Sequence, residues 1–111
     1  MSKEEILGVF EDLSLEIYKT ALNKGFWDGE RSDAELIALM HSELSEALEA
    51  SRHGNPADDK IPEFSGIEAE LADVIIRILD ASFQREWDIA GAIIAKIRYN
   101  KTRSYKHGKK F

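Results

Sequence analysis

The sequence contains no cysteine and only two prolines. Without cysteine, the fold cannot depend on disulfides or thiolate metal ligands, and nothing in the composition requires an oxidising compartment. No stretch approaches the roughly 18 apolar residues of a membrane span, and the segment after Met1 lacks the apolar core of a signal peptide. We therefore expect a cytoplasmic protein that has no membrane partner.

Positive charge is scarce over most of the chain. The formal net charge is -6, and the basic residues concentrate from Lys96 onward, so the acidic excess lies before that point. Surfaces that bind polymeric nucleic acid cluster Lys and Arg against the phosphates, so this composition argues against such a partner. The basic end of the chain could still serve a small ligand that carries phosphate.

Capping signals and apolar periodicity predict four helices. The start signals are three capping boxes, at Ser2, Ser32 and Ser65, and an N-cap at Asp88. The helices are expected at about 2–23, 32–53, 65–87 and 88–103. Gly54 is a plausible end of the second helix, and both prolines fall in the one long loop, from Gly54 to Phe64.

The pattern of elements indicates an all-α, four-helix bundle. No alternating strand pattern or internal repeat interrupts the four helices, and their connections are mostly short. A chain of 111 residues is expected to form one domain, spanning 1–111, of a size that oligomerisation would help to stabilise.

Two pairs of carboxylates stand out on the second and third helices. Glu43 and Glu46 are three residues apart, and Glu70 and Asp73 repeat that spacing, so each pair lies on one side of its helix. If the helices pack antiparallel across the loop, the pairs can face one another. Clustered carboxylates at an apolar bundle need protons or cations, and an all-oxygen set suits Mg²⁺ or Mn²⁺ better than zinc. The alternative is a solvated, salt-bridged helix surface, for which this spacing is also common.

The motifs also resemble those of a known family. Glu43-Leu-Ser-Glu46, followed by Glu70-Leu-Ala-Asp73, is similar to the Glu-x-x-Glu and Glu-x-x-Asp signature of the MazG-like, all-α nucleoside triphosphate pyrophosphohydrolases. The segment from Lys96 to Arg103 is similar to the C-terminal Lys and Asn motif of that family. The resemblance covers about residues 32–105 and consists of three motifs in order on helices.

The resemblance implies a function and a set of site residues. Glu43, Glu46, Glu70 and Asp73 would hold Mg²⁺, and Lys96, Asn100 and Arg103 would contact the nucleotide or its phosphates. The reaction would cleave the α–β phosphate bond of NTPs or dNTPs and release a nucleoside monophosphate and pyrophosphate, as a nucleotide-pool clean-up enzyme. Such enzymes form homodimers or homotetramers. Glu46 is our candidate for the catalytic base.

For several residues the sequence is consistent with two different roles. Ser42 precedes Glu43 where the family often has a further Glu, and Glu49 and Asp80 are candidates for outer ligands or a base, although we favour a surface role for Asp80. Phe26 and Trp27 either stack on a base or anchor their loop, and Arg77 either orients a carboxylate or is solvated. The alternative functions are phosphoribosyl-ATP pyrophosphohydrolase and a non-catalytic helical oligomerisation module.

Overall fold

The computed structural model describes residues 1–104 and contains four helices. They are α1 (Lys3–Asn23), α2 (Asp33–Arg52), α3 (Gly66–Arg85) and α4 (Ile89–Lys101). The described residues form no strand, only an isolated antiparallel bridge between Ala57 and Ser65. The predicted all-α, four-helix class is confirmed, and every helix end lies within two residues of its predicted position. His107 and the rest of the predicted basic end beyond Ser104 fall outside the described residues.

The helix starts follow from local hydrogen bonds. The capping boxes at Ser2 and Ser65 are complete, with each serine hydroxyl accepting from the backbone N–H of the glutamate three residues later, and that glutamate accepting from the serine N–H. The predicted box at Ser32 is only half formed. Its hydroxyl accepts from the Glu35 N–H at 3.1 Å, but the Glu35 carboxylate pairs instead with the Arg31 guanidinium at 2.6 Å.

The connection between α2 and α3 is held by bonds among neighbouring residues. Gly54 adopts a positive φ of 81°, which glycine tolerates, and the Asn55 N–H then donates to the Ala50 carbonyl at 2.8 Å. Asp58 Oδ2 accepts from two backbone N–H groups of its own turn. The Gly66 N–H donates to the Pro56 carbonyl at 2.8 Å. These bonds turn the chain back, so α2 and α3 form an antiparallel hairpin.

The other two helices pack on this hairpin unequally. α1 lies against α3, and α4 makes its main contact with α1. The Tyr18 ring of α1 lies 5.0 Å from the Phe83 ring of α3 between centroids. The buried apolar residues are few and mostly small: Leu36, Ala47, Ala69, Leu79, Ala81 and Ala90. No side chain in the described part of the chain is fully buried, so the core of the single chain is thin.

The hairpin also carries a row of uncovered apolar side chains, which we call the apolar face. It consists of Ile37, Leu44 and Leu48 on α2 and of Leu71 and Ile75 on α3, with exposed fractions between 41% and 55%. Leu71 and Ile75 are four residues apart, so they lie on the same side of α3. The sequence pattern groups Leu44 and Leu48 with the core, and the single chain leaves both uncovered.

None of the described helices combines the length and the apolar content that a bilayer crossing requires.

The end of α3 supplies a stability prediction. Glu86 adopts the left-handed conformation, with φ 60° and ψ 35°, which costs a residue with a Cβ about 1–2 kcal/mol. We expect Glu86→Gly to raise the free energy of unfolding by roughly 0.5–1 kcal/mol, because glycine relieves this strain and loses only part of the gain to chain entropy. Urea denaturation measures the change. Glu86→Ala, which removes the same carboxylate but keeps a Cβ, is the control and should not stabilise.

Candidate metal centre

The antiparallel hairpin brings three carboxylates together. One carboxylate oxygen each from Glu43, Glu46 and Glu70 lies within 4.8 Å of the others. The two helices run in opposite directions. Glu43 and Glu46 therefore face α3 about two turns before the loop that joins the helices. Glu46 is exposed, whereas Glu43 and Glu70 are partly buried. The structure therefore places three of the four predicted ligands in one group.

Glu70 is the most perturbed member of the group. Its Oε2 atom is buried and has no hydrogen-bond partner among the described residues. The pKa of Glu70 is raised to about 7, first by burial, then by a hydrogen bond to the Glu46 carboxyl group and by the nearby charges of Glu46, Asp73 and Glu43. A carboxyl group that is buried beside other carboxylates needs a proton or a cation.

Asp73 lies beside the group rather than within it, since it is not among the residues that meet within 4.8 Å. It still responds to the same charges. Desolvation raises its pKa most, the Glu43 carboxylate raises it further, and Arg77 opposes the change. Asp73 therefore lies close enough to Glu43 and Glu46 for their charges to raise its pKa.

A positively charged side chain of α3, Arg77, contacts one of the predicted metal ligands. Arg77 Nε donates to Glu43 Oε1 at 2.9 Å, and only 13% of the Glu43 side chain is exposed. Of the two interpretations of Arg77, the paired one is confirmed. The guanidinium fixes the position of the Glu43 carboxylate and offsets one of the clustered charges.

A cleft of about 340 Å³ opens beside the carboxylates, between α1 and α3. Its lining includes Glu43, Asp73, Phe26, Arg77 and Asp80. The cleft is therefore continuous with the acidic group. A larger cleft of about 550 Å³ lies between α1, the end of α3 and the start of α4, but it contains none of the four carboxylates. Size alone does not locate the site.

Asp80 is a residue that the sequence interpretation placed wrongly at the surface. It is only 7% exposed, and its Oδ1 accepts a hydrogen bond from Trp27 Nε1 at 3.1 Å. Burial raises the pKa of Asp80, against the opposing effects of the Trp27 N–H and of Arg77. The same bond anchors the connection between α1 and α2. The two residues are 53 positions apart, so no local signal connects them.

The chemistry of these residues fits a hard divalent cation. The described group is formed by carboxylate oxygens alone, without His, and the chain has no Cys. Mg²⁺ and Mn²⁺ favour such ligands, whereas zinc sites generally include nitrogen or sulfur. A cation between these helices would give the buried Oε2 of Glu70 the partner that it lacks.

The remaining predicted residues lie elsewhere. Lys96 and Asn100 are on α4, which packs on α1, and no hydrogen bond or ion pair among the described residues joins either of them to the four carboxylates. The Arg103 guanidinium and the Lys96 ammonium lie 5.8 and 5.9 Å from the Tyr99 ring centroid. Their contact with a nucleotide stays a prediction. Glu49 pairs with His53 at 2.9 Å and with Arg52, near the end of α2.

Comparisons with known proteins identified no relative: no protein-family model matches the chain, and no significant match was found among curated proteins or solved structures.

The raised pKa of Glu70 predicts how stability depends on pH. Between about pH 4.5 and about pH 7, folded Glu70 keeps a proton that the unfolded chain releases. The folded state then binds more protons, so the free energy of unfolding should fall as pH rises through this window. Asp73 and Asp80, whose pKa values are also raised, contribute with the same sign. Urea denaturation of the metal-free protein across this range measures the slope.

A charge-removing variant isolates the contribution of Glu70. Glu70→Gln should reduce the slope, whereas Glu16→Gln, at an exposed position of α1, should leave it unchanged. The capping residues Glu5 and Glu68 have lowered pKa values and titrate below this window. A slope that is the same in Glu70→Gln and in the wild type would contradict the assignment.

Proposed function

We propose that this protein is a MazG-like nucleoside triphosphate pyrophosphohydrolase that depends on Mg²⁺. It would cleave NTPs or dNTPs between the α and β phosphates and release a nucleoside monophosphate and pyrophosphate, for nucleotide-pool clean-up in the cytoplasm. The observation that carries the proposal is that Glu43, Glu46 and Glu70 meet in one group and that Glu70 Oε2 is buried without a hydrogen-bond partner among the described residues. The order of the motifs on α2 and α3 is the second support.

Four residues would hold the cation. We assign Glu43, Glu46, Glu70 and Asp73 to Mg²⁺, with Mn²⁺ as a possible substitute. When bound, Mg²⁺ contacts phosphate oxygens and lowers the pKa of a nearby water. A cation on these carboxylates would lie next to the cleft, because Glu43 and Asp73 also line the cleft.

The chain's own groups would move the proton and offset the charge. Glu46 is the exposed member of the group, so it is best placed to accept a proton from the attacking water. Lys24 and Arg77 line the cleft and would offset negative charge on the phosphates. We assign Lys96, Asn100 and Arg103 to the nucleotide on the strength of the motif resemblance alone.

We also propose that the protein is a homodimer or homotetramer formed through the apolar face. Its five side chains are each at least 41% exposed and lie on two helices that pack against each other. The thin core of the single chain supports the same proposal, because burial of this surface against a second copy would add the apolar burial that the monomer lacks.

A substrate panel tests the reaction. The purified protein is incubated with canonical and modified NTPs and dNTPs and with phosphoribosyl-ATP, in the presence of Mg²⁺ or EDTA, and the products are identified by anion-exchange chromatography. We expect Mg²⁺-dependent formation of monophosphate and pyrophosphate in equal amounts. Release of inorganic phosphate with a diphosphate would contradict the proposed bond of cleavage. Turnover of phosphoribosyl-ATP alone would favour that related activity.

The apolar face also supports a second candidate, a non-catalytic helical oligomerisation module. In that case the acidic group is a solvated surface feature without a ligand. The two candidates differ in their response to Mg²⁺. A cation that binds only the folded state raises the free energy of unfolding by mass action, so thermal unfolding with Mg²⁺ and with EDTA separates a metal centre from a structural module.

A further inference from the structure

The cleft beside the acidic group continues along one face of α3. Asp73, Arg77 and Asp80 are spaced four and three residues apart, so they lie in a row on the same side of the helix. All three line the cleft, opposite residues of α1. The seven positions from Asp73 to Asp80 correspond to a rise of about 10 Å. A ligand whose phosphates are held near Asp73 would therefore extend toward Asp80.

The end of the cleft near Asp80 is suited to a flat, partly apolar group. Phe26, Ile17 and Ile76 provide apolar surface within the cleft, and Phe26 and Asp80 also line one small pocket together. The Arg31 guanidinium lies 3.9 Å from the Phe26 ring centroid, which holds the ring in place from outside the cleft lining. A volume of about 340 Å³ is within the range of small-molecule sites.

Asp80 places one unused hydrogen-bond acceptor in this apolar setting. A carboxylate can accept about four hydrogen bonds, but Asp80 accepts only the one from Trp27 among the described residues, through Oδ1. Its Oδ2 has no donor there, although the residue is 7% exposed and lines the cleft. Oδ2 is not one of the buried atoms without a partner among the described residues, so it is open to the cleft, where it can accept a hydrogen bond from a ligand that donates one.

We propose that the cleft binds the base of the nucleotide and that Asp80 selects bases with an amino group at pyrimidine C4 or purine C6, namely cytosine and adenine, over uracil and hypoxanthine. This inference rests on the proposed function, because the phosphates must lie at the acidic group for the base to reach Asp80. The amino group of cytosine or adenine donates to Oδ2. Uracil and hypoxanthine place a carbonyl oxygen at the same position, where it faces the carboxylate without a proton between them.

The first test uses the wild-type protein and two matched substrate pairs. CTP and UTP differ in the group at C4 and in the proton on the adjacent N3, and ATP and ITP differ in the same way at C6 and N1. We expect kcat/KM to be about tenfold or more higher for CTP than for UTP and for ATP than for ITP, since one unpaired buried polar group has an effect of this size. Equal values within both pairs, or a preference for the carbonyl bases, would overturn the proposal.

The second test changes the chemistry of the acceptor. In Asp80→Asn the amide oxygen can still accept from Trp27, which turns the NH₂ group toward the cleft as a donor. The preference should then reverse in favour of UTP and ITP. Trp27→Phe is the control: it removes the N–H donor but keeps the carboxylate, so the preference for amino bases should persist. Circular dichroism establishes that each variant is folded.

The outcomes separate this inference from the proposed function. Hydrolysis of all four substrates at similar kcat/KM, with Mg²⁺ dependence, would overturn the role of Asp80 and leave the pyrophosphohydrolase proposal standing. No hydrolysis of any triphosphate would overturn the proposed function and this inference with it. A reversed preference in Asp80→Asn, which a purely structural anchor for Trp27 would not produce, would establish Asp80 as a specificity-determining residue.

Discussion

Glu70→Gln is expected to abolish pyrophosphate release, with kcat/KM lowered by about a thousandfold or more, which corresponds to about 4 kcal/mol of transition-state stabilisation. The amide keeps the size of the side chain but removes the negative charge of Glu70, whose Oε2 is buried without a hydrogen-bond partner among the described residues. An amide is also a poorer ligand for a divalent cation than a carboxylate. The measurement is coupled detection of pyrophosphate with the best substrate of the panel.

A binding readout separates loss of the cation from loss of chemistry. Mg²⁺ should raise the melting temperature of the wild type, and this increase should be lost in Glu70→Gln. Without metal, the same variant should be at least as stable as the wild type near pH 7, because it no longer has to bury a carboxylate or take up a proton. Glu16→Gln should behave as the wild type in both assays. Full activity in Glu70→Gln would refute the proposed metal centre.

The double variant Leu44→Glu, Ile75→Glu is expected to convert the oligomer into monomers. Both side chains are about half exposed in the single chain, at 49% and 55%, so the change should leave the fold of the monomer intact. In an assembled interface, however, the new carboxylates would be desolvated and unpaired. Light scattering after size exclusion should show a mass near the 12.6 kDa of one chain, against at least twice that mass for the wild type.

The control for this experiment is Val9→Glu. Val9 is 54% exposed and lies on α1, away from the apolar face, so this variant should keep the mass of the wild type. A wild-type protein that is monomeric at micromolar concentration would refute the proposed assembly. Dissociation by Val9→Glu, together with no effect of the double variant, would place the interface on α1.

The sequence predicts the helices well because their signals are local. Ser2, Ser65 and Asp88 cap helices through hydrogen bonds to N–H groups three residues away, and Gly54 ends α2 through its own positive φ. The exception at Ser32 also involves residues that are close in sequence. The Glu35 carboxylate can bind the Ser32 N–H or the Arg31 guanidinium, and it binds Arg31.

Parts of the candidate site could not be predicted because they depend on contacts between distant residues. Spacing indicates that Glu43 and Glu46 share one side of α2, and an antiparallel hairpin then places Glu70 opposite them. The bond from Trp27 to Asp80 depends on how α1 docks on α3, and no pattern in the sequence indicates that docking. Periodicity likewise identifies Leu44 and Leu48 as apolar without showing whether another helix covers them.

The connection between α2 and α3 has a consequence for the order of folding. Its hydrogen bonds join residues close in sequence, such as Asn55 to Ala50 and Gly66 to Pro56, so its closure loses little chain entropy. The hairpin can therefore form before α1 docks, and short-range contacts of this kind favour rapid folding. If the hairpin forms first, the carboxylates approach one another before α1 docks, and their repulsion then raises the folding barrier. A cation present at that stage would speed folding as well as stabilise the final structure.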